Sequence, residues 1–159
     1  MRVIAVHIPK TAGLSLRSHL ERIFGKNNLI LDYNHCDRPD KTPPRIVKPY
    51  TLSRLRKTHQ TTCIHGHFLL SKYRHIPAAS RMVWFREPVE RLLSHYYYWQ
   101  RAPDMDHPHC RALHEGPLSI IEFAKLPELI NFHWRFLDGE MDQVDFIGLV
   151  EEYRISIEM

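Results

Sequence analysis

The sequence lacks an apolar run long enough to cross a membrane, because none reaches the roughly 18 consecutive residues that a spanning helix needs. The first apolar segment begins directly after Met1 and leaves no room for a secretion signal. It also lacks internal repeats and low-complexity segments. We therefore expect no membrane span, a cytoplasmic location, and a single domain over the 159 residues.

Cysteine is scarce as well. Cys36, Cys63 and Cys110 are an odd number without paired spacing, which argues against a disulfide scaffold and predicts reduced thiols without a catalytic role. One stretch does collect side chains of the types that bind zinc: His107, His109, Cys110 and His114. Their spacing matches no closed four-ligand pattern, so we expect no metal. A histidine-rich metal-binding protein remains a minor alternative.

Charge of either sign is in only modest excess. The 22 basic and 18 acidic residues leave a net charge of +4, with 12 histidines counted as neutral. Such a balance is compatible with an anionic ligand, but it does not indicate a nucleic-acid partner.

Alternating apolar runs and amphipathic segments predict an α/β fold. Strands are expected at residues 2–8, 28–33, 61–64, 80–85 and 144–150. Helices are expected at residues 16–24, 50–57, 88–101, 119–125, 127–137 and from 151 onward, with loops at 34–48 and 102–117. Because the strands are apolar on both faces, we predict a three-layer α/β/α domain with a mainly parallel central sheet.

The segment His7–Leu16 joins the first predicted strand to the first predicted helix and includes the end of one and the start of the other, and its turn is typical of an anion-binding site. Pro9 fixes the backbone φ, and Gly13 allows the backbone to approach a ligand closely. The unpaired first amides of the helix, together with Lys10 and the hydroxyls of Thr11 and Ser15, suit a phosphate or sulfate group.

A second anion site is predicted after the fourth strand. The Arg86 guanidinium matches phosphate oxygens, and the Ser94 hydroxyl can reach the same group. Alternatively, Arg86 forms an ion pair with Glu87 or Glu90. No predicted strand ends in a clear Mg²⁺-binding aspartate, so we expect the two anion sites to bind their ligand without a metal. Since ligands bind at the carboxyl ends of parallel strands, the segments 7–15, 65–68 and 86–94 are expected to line one crevice.

The following helix carries two further expectations. Its buried face is predicted from apolar spacing, and it comprises Val89, Leu92, Leu93 and Tyr96. The aromatic run Tyr96–Trp99 is expected to pack in the core rather than to bind a sugar.

Together these motifs resemble those of the carbohydrate sulfotransferases related to heparan sulfate 2-O-sulfotransferases. His7-Ile8-Pro9-Lys10-Thr11-Ala12-Gly13 resembles their 5′-phosphosulfate loop, a P-loop-like turn, and Arg86-x-Pro88-x-x-Arg91-x-x-Ser94 is similar to their 3′-phosphate motif. His65-Gly66-His67 resembles the segment that carries their catalytic base, and Phe146–Glu151 is similar to a late strand. The matches run in the family's order from residue 7 to about residue 151.

The resemblance implies transfer of a sulfuryl group from the cosubstrate 3′-phosphoadenosine 5′-phosphosulfate to a hydroxyl acceptor, expected on a carbohydrate. His67 is then the candidate base, with His65 either orienting it or sharing its role, and Lys10 stabilises the leaving oxygen. The resemblance implies nucleotide binding by the following residues: Pro9, Lys10, Thr11, Ala12, Gly13, Leu14, Ser15, Arg86 and Ser94.

Two departures from the family pattern define the alternatives. Leu14 stands where the family usually has a hydroxyl residue, so one donor to the 5′-phosphate is missing. The chain reaches Met159 shortly after the last matched strand, which suggests C-terminal truncation. The first alternative is therefore a relative that only binds the nucleotide or an anionic glycan. A second is a phosphotransferase with an unusual phosphate loop.

Overall fold

A computed structural model describes residues 1–33, 61–116 and 118–159. The loop predicted at 34–48, the helix predicted at 50–57, and Cys36 lie outside the described residues. The other two cysteines, Cys63 and Cys110, are free thiols in buried positions. Burial raises the pKa of Cys63 to about 12, so its reactive thiolate form is strongly disfavoured.

A parallel sheet forms the centre of the described structure. Its strands are β1 (Arg2–Val6), β2 (Leu29–Leu31), β3 (Thr62–Gly66), β4 (Ala79–Phe85) and β5 (Phe146–Leu149). Their order across the sheet is β2-β3-β1-β4-β5, and every neighbouring pair is parallel. The predicted α/β architecture with a parallel sheet is thus confirmed. β1 ends earlier than predicted because the Ile8 carbonyl accepts hydrogen bonds from the Thr11 amide and hydroxyl, which turns the chain.

Helices cover both faces of this sheet. Those described are α1 (Gly13–Phe24), α2 (Pro88–Arg101), α3 (Pro108–Glu115), α4 (Ile120–Ala124), α5 (Phe132–Leu137) and α6 (Tyr153–Glu158). Short 3₁₀ turns occupy Leu70–Tyr73, Pro127–Leu129 and Met141–Gln143. Among the described residues, no helix is both long enough and apolar enough to cross a membrane.

The alternation of side chains along β1 separates two apolar cores. Ile4 and Val6 point into a core shared with residues of α2 to α5, whereas Val3 and Ala5 point into one shared with α1 and α6. Because both faces of the strand are covered, its run of apolar residues carries no polar alternation. This arrangement is the predicted three-layer sandwich.

The loop predicted at 102–117 is wrong for its second half, where α3 forms. Pro108 suits the first helical turn, where its missing amide costs nothing. Cys110 and Leu113, three residues apart, bury one side of the helix against the core. So short an apolar pattern, amid histidines, gives a weak helical signal.

The helix predicted at 127–137 is interrupted. A 3₁₀ turn at Pro127–Leu129 is followed by Asn131 in the left-handed conformation, with φ of 51°, before α5 begins. Asparagine tolerates this region better than most residues, so it can end one turn and start another.

The buried face of α2 is also not the predicted one. Val89 is 59% exposed, whereas the buried side chains of the helix are Arg91, His95 and Trp99. These three are spaced four residues apart and therefore share one face. Leu92 and Tyr96 pack only at the margin of the core.

Candidate functional site

The reversal of strand connections beside β1 opens a crevice at the carboxyl edge of the sheet. The chain leaves β1 toward α1 on one face, and it leaves the neighbouring strand β4 toward α2 on the other. Open parallel sheets bind ligands at such switch points. A cavity of about 640 Å³ lies there, between the loop after β1 and the part of α2 from Ser94 onward.

The loop after β1 is shaped to expose backbone amides. Lys10 and Ala12 both adopt positive φ, at 72° and 59°, which is uncommon for residues with a side chain. Ala12 caps α1 without a side-chain hydrogen bond, and the first turn of the helix contains no acidic residue. Within the described part of the chain, no cap side chain holds the amides at this helix start, and their conformation is of the kind that forms anion-binding concavities.

Lys10 extends from this loop over the aromatic run of α2. Its ammonium nitrogen lies 3.8 Å from the centroid of the Tyr98 ring, a cation–π contact. Burial lowers the pKa of Lys10, and the nearby charges of Arg101 and Arg86 lower it further. An anionic ligand in the cavity would relieve this repulsion.

Most of the sequence-predicted site residues line this one cavity. Those that do are Pro9, Lys10, Ala12, Gly13, Leu14, Ser15, His67, Arg86 and Ser94. Leu14 is 78% exposed at the wall, so the position that departs from the family pattern offers an apolar surface to the cavity.

Thr11 and His65 are the predicted site residues that do not line the cavity. The Thr11 hydroxyl is buried and donates to the Ile8 carbonyl at 2.8 Å, so it stabilises the turn instead of facing a ligand. His65 is fully buried beneath the site, and its Nδ1 lies 3.2 Å from the Ala5 carbonyl oxygen. A carbonyl only accepts, so this contact places the proton of His65 on Nδ1.

Three histidines and a tyrosine meet at the end of β3. The ring of His7 stacks on His65 at 5.4 Å and lies 4.4 Å from His67, while Tyr33 meets all three edge-on. Burial is the main cause that lowers the pKa of His7 to about 2 and that of His65 to about 4. Both rings are thus neutral at physiological pH. The His7 ring lies in contact with His65 and with His67, so it links the two.

Two glycines make this packing possible. A Cβ on Gly13 would collide with the His7 ring, so this glycine admits the histidine as well as opening the start of α1. A Cβ on Gly66 would collide with the Asp32 backbone carbonyl, which explains the small residue between His65 and His67. The close approach predicted at Gly13 therefore includes a side chain of the protein itself.

Arg86 is held at the mouth of the cavity by several contacts. Its guanidinium lies 3.4 Å from a Glu90 carboxylate oxygen, so the ion-pair alternative is partly realised. The Arg86 amide donates to Nε2 of His133 at 3.5 Å. The next amide, of Glu87, donates to the Glu151 carboxylate at 2.8 Å, which ties this turn to the segment after β5.

Among the residues that line the cavity, sequence reasoning gave no site role to Tyr33, His95 and Tyr98. His7, which belongs to the expected segment 7–15, also lines it, and Arg91, which belongs to the expected segment 86–94, contacts His95. The expected core packing of the aromatic run is wrong for Tyr97 and Tyr98, which are half exposed. Helical spacing carries a signal for Tyr98, because it lies four residues after Ser94 on the same side of α2.

The histidines around α3 contact neighbouring side chains and carbonyl groups. Among the described residues, no group of three or more histidine, cysteine or acidic side chains is arranged to hold a metal. The His107 ring lies 4.5 Å from the Trp99 ring, and Nε2 of His114 donates to the Trp99 carbonyl at 2.8 Å. These contacts fasten α3 to α2.

Known proteins resemble the chain in structure only. No protein-family model matches it, and no curated protein matches its sequence. The mouse sulfotransferase SULT7A1, solved in complex with PAP, superposes with a TM-score of 0.59 at 13% identity, over 99% of this chain and 56% of that one. A sulfotransferase from Alicyclobacillus acidocaldarius superposes with a TM-score of 0.51 at 16% identity, over 98% of this chain and 75% of that one.

The chain therefore has the sulfotransferase fold. It spans 56% of the length of the mouse protein. Neither neighbour is named as a heparan sulfate 2-O-sulfotransferase. The likeness therefore supports the fold and not specificity for heparan sulfate.

Proposed function

We propose that this chain transfers a sulfuryl group from 3′-phosphoadenosine 5′-phosphosulfate to a hydroxyl acceptor on a carbohydrate. The observation that carries the proposal is the convergence of two anion-binding groups and His67 on one cavity at the switch point of the sheet. The PAP bound by the mouse neighbour, which shares this fold, supports a nucleotide ligand of the same class.

Each half of the cavity suits one anionic end of the nucleotide. The free amides at the start of α1, with Lys10 and the Ser15 hydroxyl, would hold the 5′-phosphosulfate. Arg86 and Ser94 would hold the 3′-phosphate on the other side. Arg17 also lines the cavity beside the first group, and its guanidinium pairs with Glu21 at 2.9 Å.

The reaction follows from these positions as an in-line displacement. The acceptor oxygen attacks sulfur and its proton passes to His67, while the bond from sulfur to the 5′-phosphate oxygen breaks. The electron pair of that bond stays on the leaving phosphate oxygen, where the Lys10 ammonium neutralises the growing charge. The products are a sulfate ester and 3′-phosphoadenosine 5′-phosphate. Because His65 is buried and does not line the cavity, we assign it an orienting role and not a share in proton transfer.

The test is calorimetric titration with 3′-phosphoadenosine 5′-phosphate, followed by transfer of labelled sulfate from the donor to a panel of neutral and anionic polysaccharides. We expect saturable binding by the wild-type chain. Lys10→Ala should weaken binding and lower transfer, and His67→Ala should lower transfer by about 10²- to 10⁴-fold with binding retained. Lys26→Ala, at an exposed lysine beyond α1, is the matched control and should change neither.

The outcomes separate the alternatives. Binding without transfer to any acceptor, and without hydrolysis of the donor, would favour a relative that only holds the nucleotide. Magnesium-dependent turnover of ATP would favour a phosphotransferase. Absence of nucleotide binding would overturn both the proposal and the binding-only alternative.

A further inference from the structure

Arg91 and His95 form a buried pair one turn apart on α2. Their exposed fractions are 2% and 4%, and Nη1 of Arg91 lies 3.3 Å from Nδ1 of His95. A guanidinium only donates hydrogen bonds, so Nδ1 of His95 must be the acceptor. The ring proton is therefore on Nε2, and the tautomer is set by Arg91.

The charge of Arg91 packs against an aromatic ring. Among the described residues, none of the acidic side chains lies within ion-pair distance of its guanidinium, which instead sits 4.1 Å from the centroid of the Phe132 ring. A buried cation is costly, and the Phe132 ring together with the Nδ1 acceptor of His95 offsets part of that cost.

The surroundings keep His95 neutral. Burial lowers its pKa well below the ordinary value, and nearby positive charge acts in the same direction. The groups that act in this direction are Arg91 on α2, Lys10 after β1, His67 after β3 and His107 before α3. Trp99, Phe123 and Phe132 meet the ring edge-on, which holds it in place.

His95 also lines the cavity that contains Lys10 and His67. The charges of Lys10 and His67 also act on the His95 ring. In the displacement described above, the sulfuryl group passes from the leaving oxygen, beside Lys10, to the acceptor oxygen, beside His67. The oxygens of that group would lie in the cavity that His95 lines.

We propose that Nε2–H of His95 donates a hydrogen bond to an oxygen of the transferring sulfuryl group, and that Arg91 is a positioning residue that keeps the donor proton on that nitrogen. This inference rests on the proposed sulfuryl transfer. A neutral donor stabilises charge that develops on these oxygens, and it cannot compete with His67 for the acceptor proton because its own second nitrogen is engaged.

Two variants of His95 separate donation from packing. His95→Phe keeps an aromatic ring against Trp99 but removes the donor, and His95→Gln keeps an N–H donor. We expect transfer to fall about 10²-fold in His95→Phe and less in His95→Gln. Binding of 3′-phosphoadenosine 5′-phosphate should stay within about twofold in both, because this ligand lacks the sulfuryl group.

The controls keep the result decisive. His75→Gln, at an exposed histidine before β4, should leave transfer and binding unchanged. Wild-type transfer rates in His95→Phe would overturn the inference while leaving the proposed function intact. Equal losses of nucleotide binding and transfer in a folded His95→Phe would also overturn it. A wild-type chain that binds no nucleotide would overturn the proposed function itself.

The role of Arg91 has a readout that does not depend on activity. In ¹⁵N-labelled protein, nuclear magnetic resonance should show His95 as the Nε2–H tautomer throughout pH 5 to 8 in the wild type and in Arg91→Lys. In Arg91→Met that single tautomer should be lost. A proton on Nδ1 of His95 in the wild type, or titration within this range, would overturn the positioning role.

Discussion

At the scale of single residues, Gly13 at the start of α1 leaves space for a side chain of the protein itself. Gly13 is commonly interpreted in such a loop as space for a ligand, but here the His7 ring occupies the position that its Cβ would take. His7 in turn contacts His65 and His67. The His7 ring, which fits because Gly13 has no side chain, thus connects the anion-binding loop to the proposed base.

Gly13→Ala should therefore disturb both stability and function. The added methyl would displace the His7 ring, which we expect to lower the free energy of unfolding by about 1–3 kcal/mol. Urea denaturation measures this change, and sulfate transfer should fall with it because His67 loses its neighbour. Gly116→Ala is the matched control, since its nearest contact would be an ordinary 3.7 Å, and it should stay within about 0.5 kcal/mol of the wild type. Equal stability of the two variants would contradict the role assigned to His7.

At the scale of elements, the turn between β4 and α2 depends on a segment far away in sequence. Glu151, after β5, accepts a hydrogen bond from the Glu87 amide, and the Val150 amide donates to the Phe85 carbonyl at 2.9 Å. Glu87 itself caps α2 by accepting from the Glu90 amide at 2.7 Å. The late segment Phe146–Glu151 thus supports the turn that carries Arg86.

Glu151→Ala should loosen this turn. We expect a loss of about 0.5–1.5 kcal/mol in the free energy of unfolding, the net value of one hydrogen bond. Binding of 3′-phosphoadenosine 5′-phosphate should weaken several-fold, because Arg86 is held less firmly, and calorimetry measures this affinity. The adjacent Glu152 is exposed, and Glu152→Ala serves as the control with unchanged affinity. Matching affinities in the two variants would argue against support of Arg86 by Glu151.

At the scale of the whole molecule, several histidines are buried, and burial keeps their rings neutral. Burial is the main cause that lowers the pKa of His65 and of His133 to about 4 and that of His7 to about 2. His95 is shifted in the same direction. In the unfolded chain these rings bind protons near pH 6.5, so between about pH 6.5 and pH 4 the unfolded state takes up more protons than the folded state.

Stability should accordingly be complete above pH 6.5 and be lost as the pH falls through this window. One fully shifted histidine contributes up to about 1.4 kcal/mol per pH unit, so we expect the free energy of unfolding to drop by at least about 2 kcal/mol from pH 7.5 to pH 5. Urea denaturation at several pH values measures the slope. His65→Gln should reduce it, and the exposed His75→Gln should not. A flat profile would show that these rings are not buried as neutral groups.

The parts of the site that could be predicted from the sequence are those whose residues lie close together along the chain. The turn around Lys10 and the pair Arg86 and Ser94 each combine a strand, a loop and a helix within one short segment, so local chemistry and spacing suffice to propose them. The order of strands adds that they meet at one edge of a sheet. His95 and Tyr98 could not be assigned to the cavity in this way, because their exposure depends on how α2 is rotated.

That rotation depends on neighbours distant in sequence. Apolar spacing favoured Val89 and Leu92 as the buried face of α2, but Arg91, His95 and Trp99 are buried because Phe123 and Phe132 pack against them. A buried guanidinium and imidazole are tolerated there since each has a specific ring or hydrogen-bond partner. Such partners do not appear in a hydrophobic pattern.

By itself, the sequence determined the parallel α/β class and the composition of the two anion-binding turns, because both follow from local apolar runs, glycine, proline and the functional groups beside them. Only the tertiary structure decided that His7 fills the space of Gly13, that His65 lies beneath the cavity and that His95 faces into it. The physical reason is that burial and contact between separate elements set these positions, and no spacing along the chain encodes them.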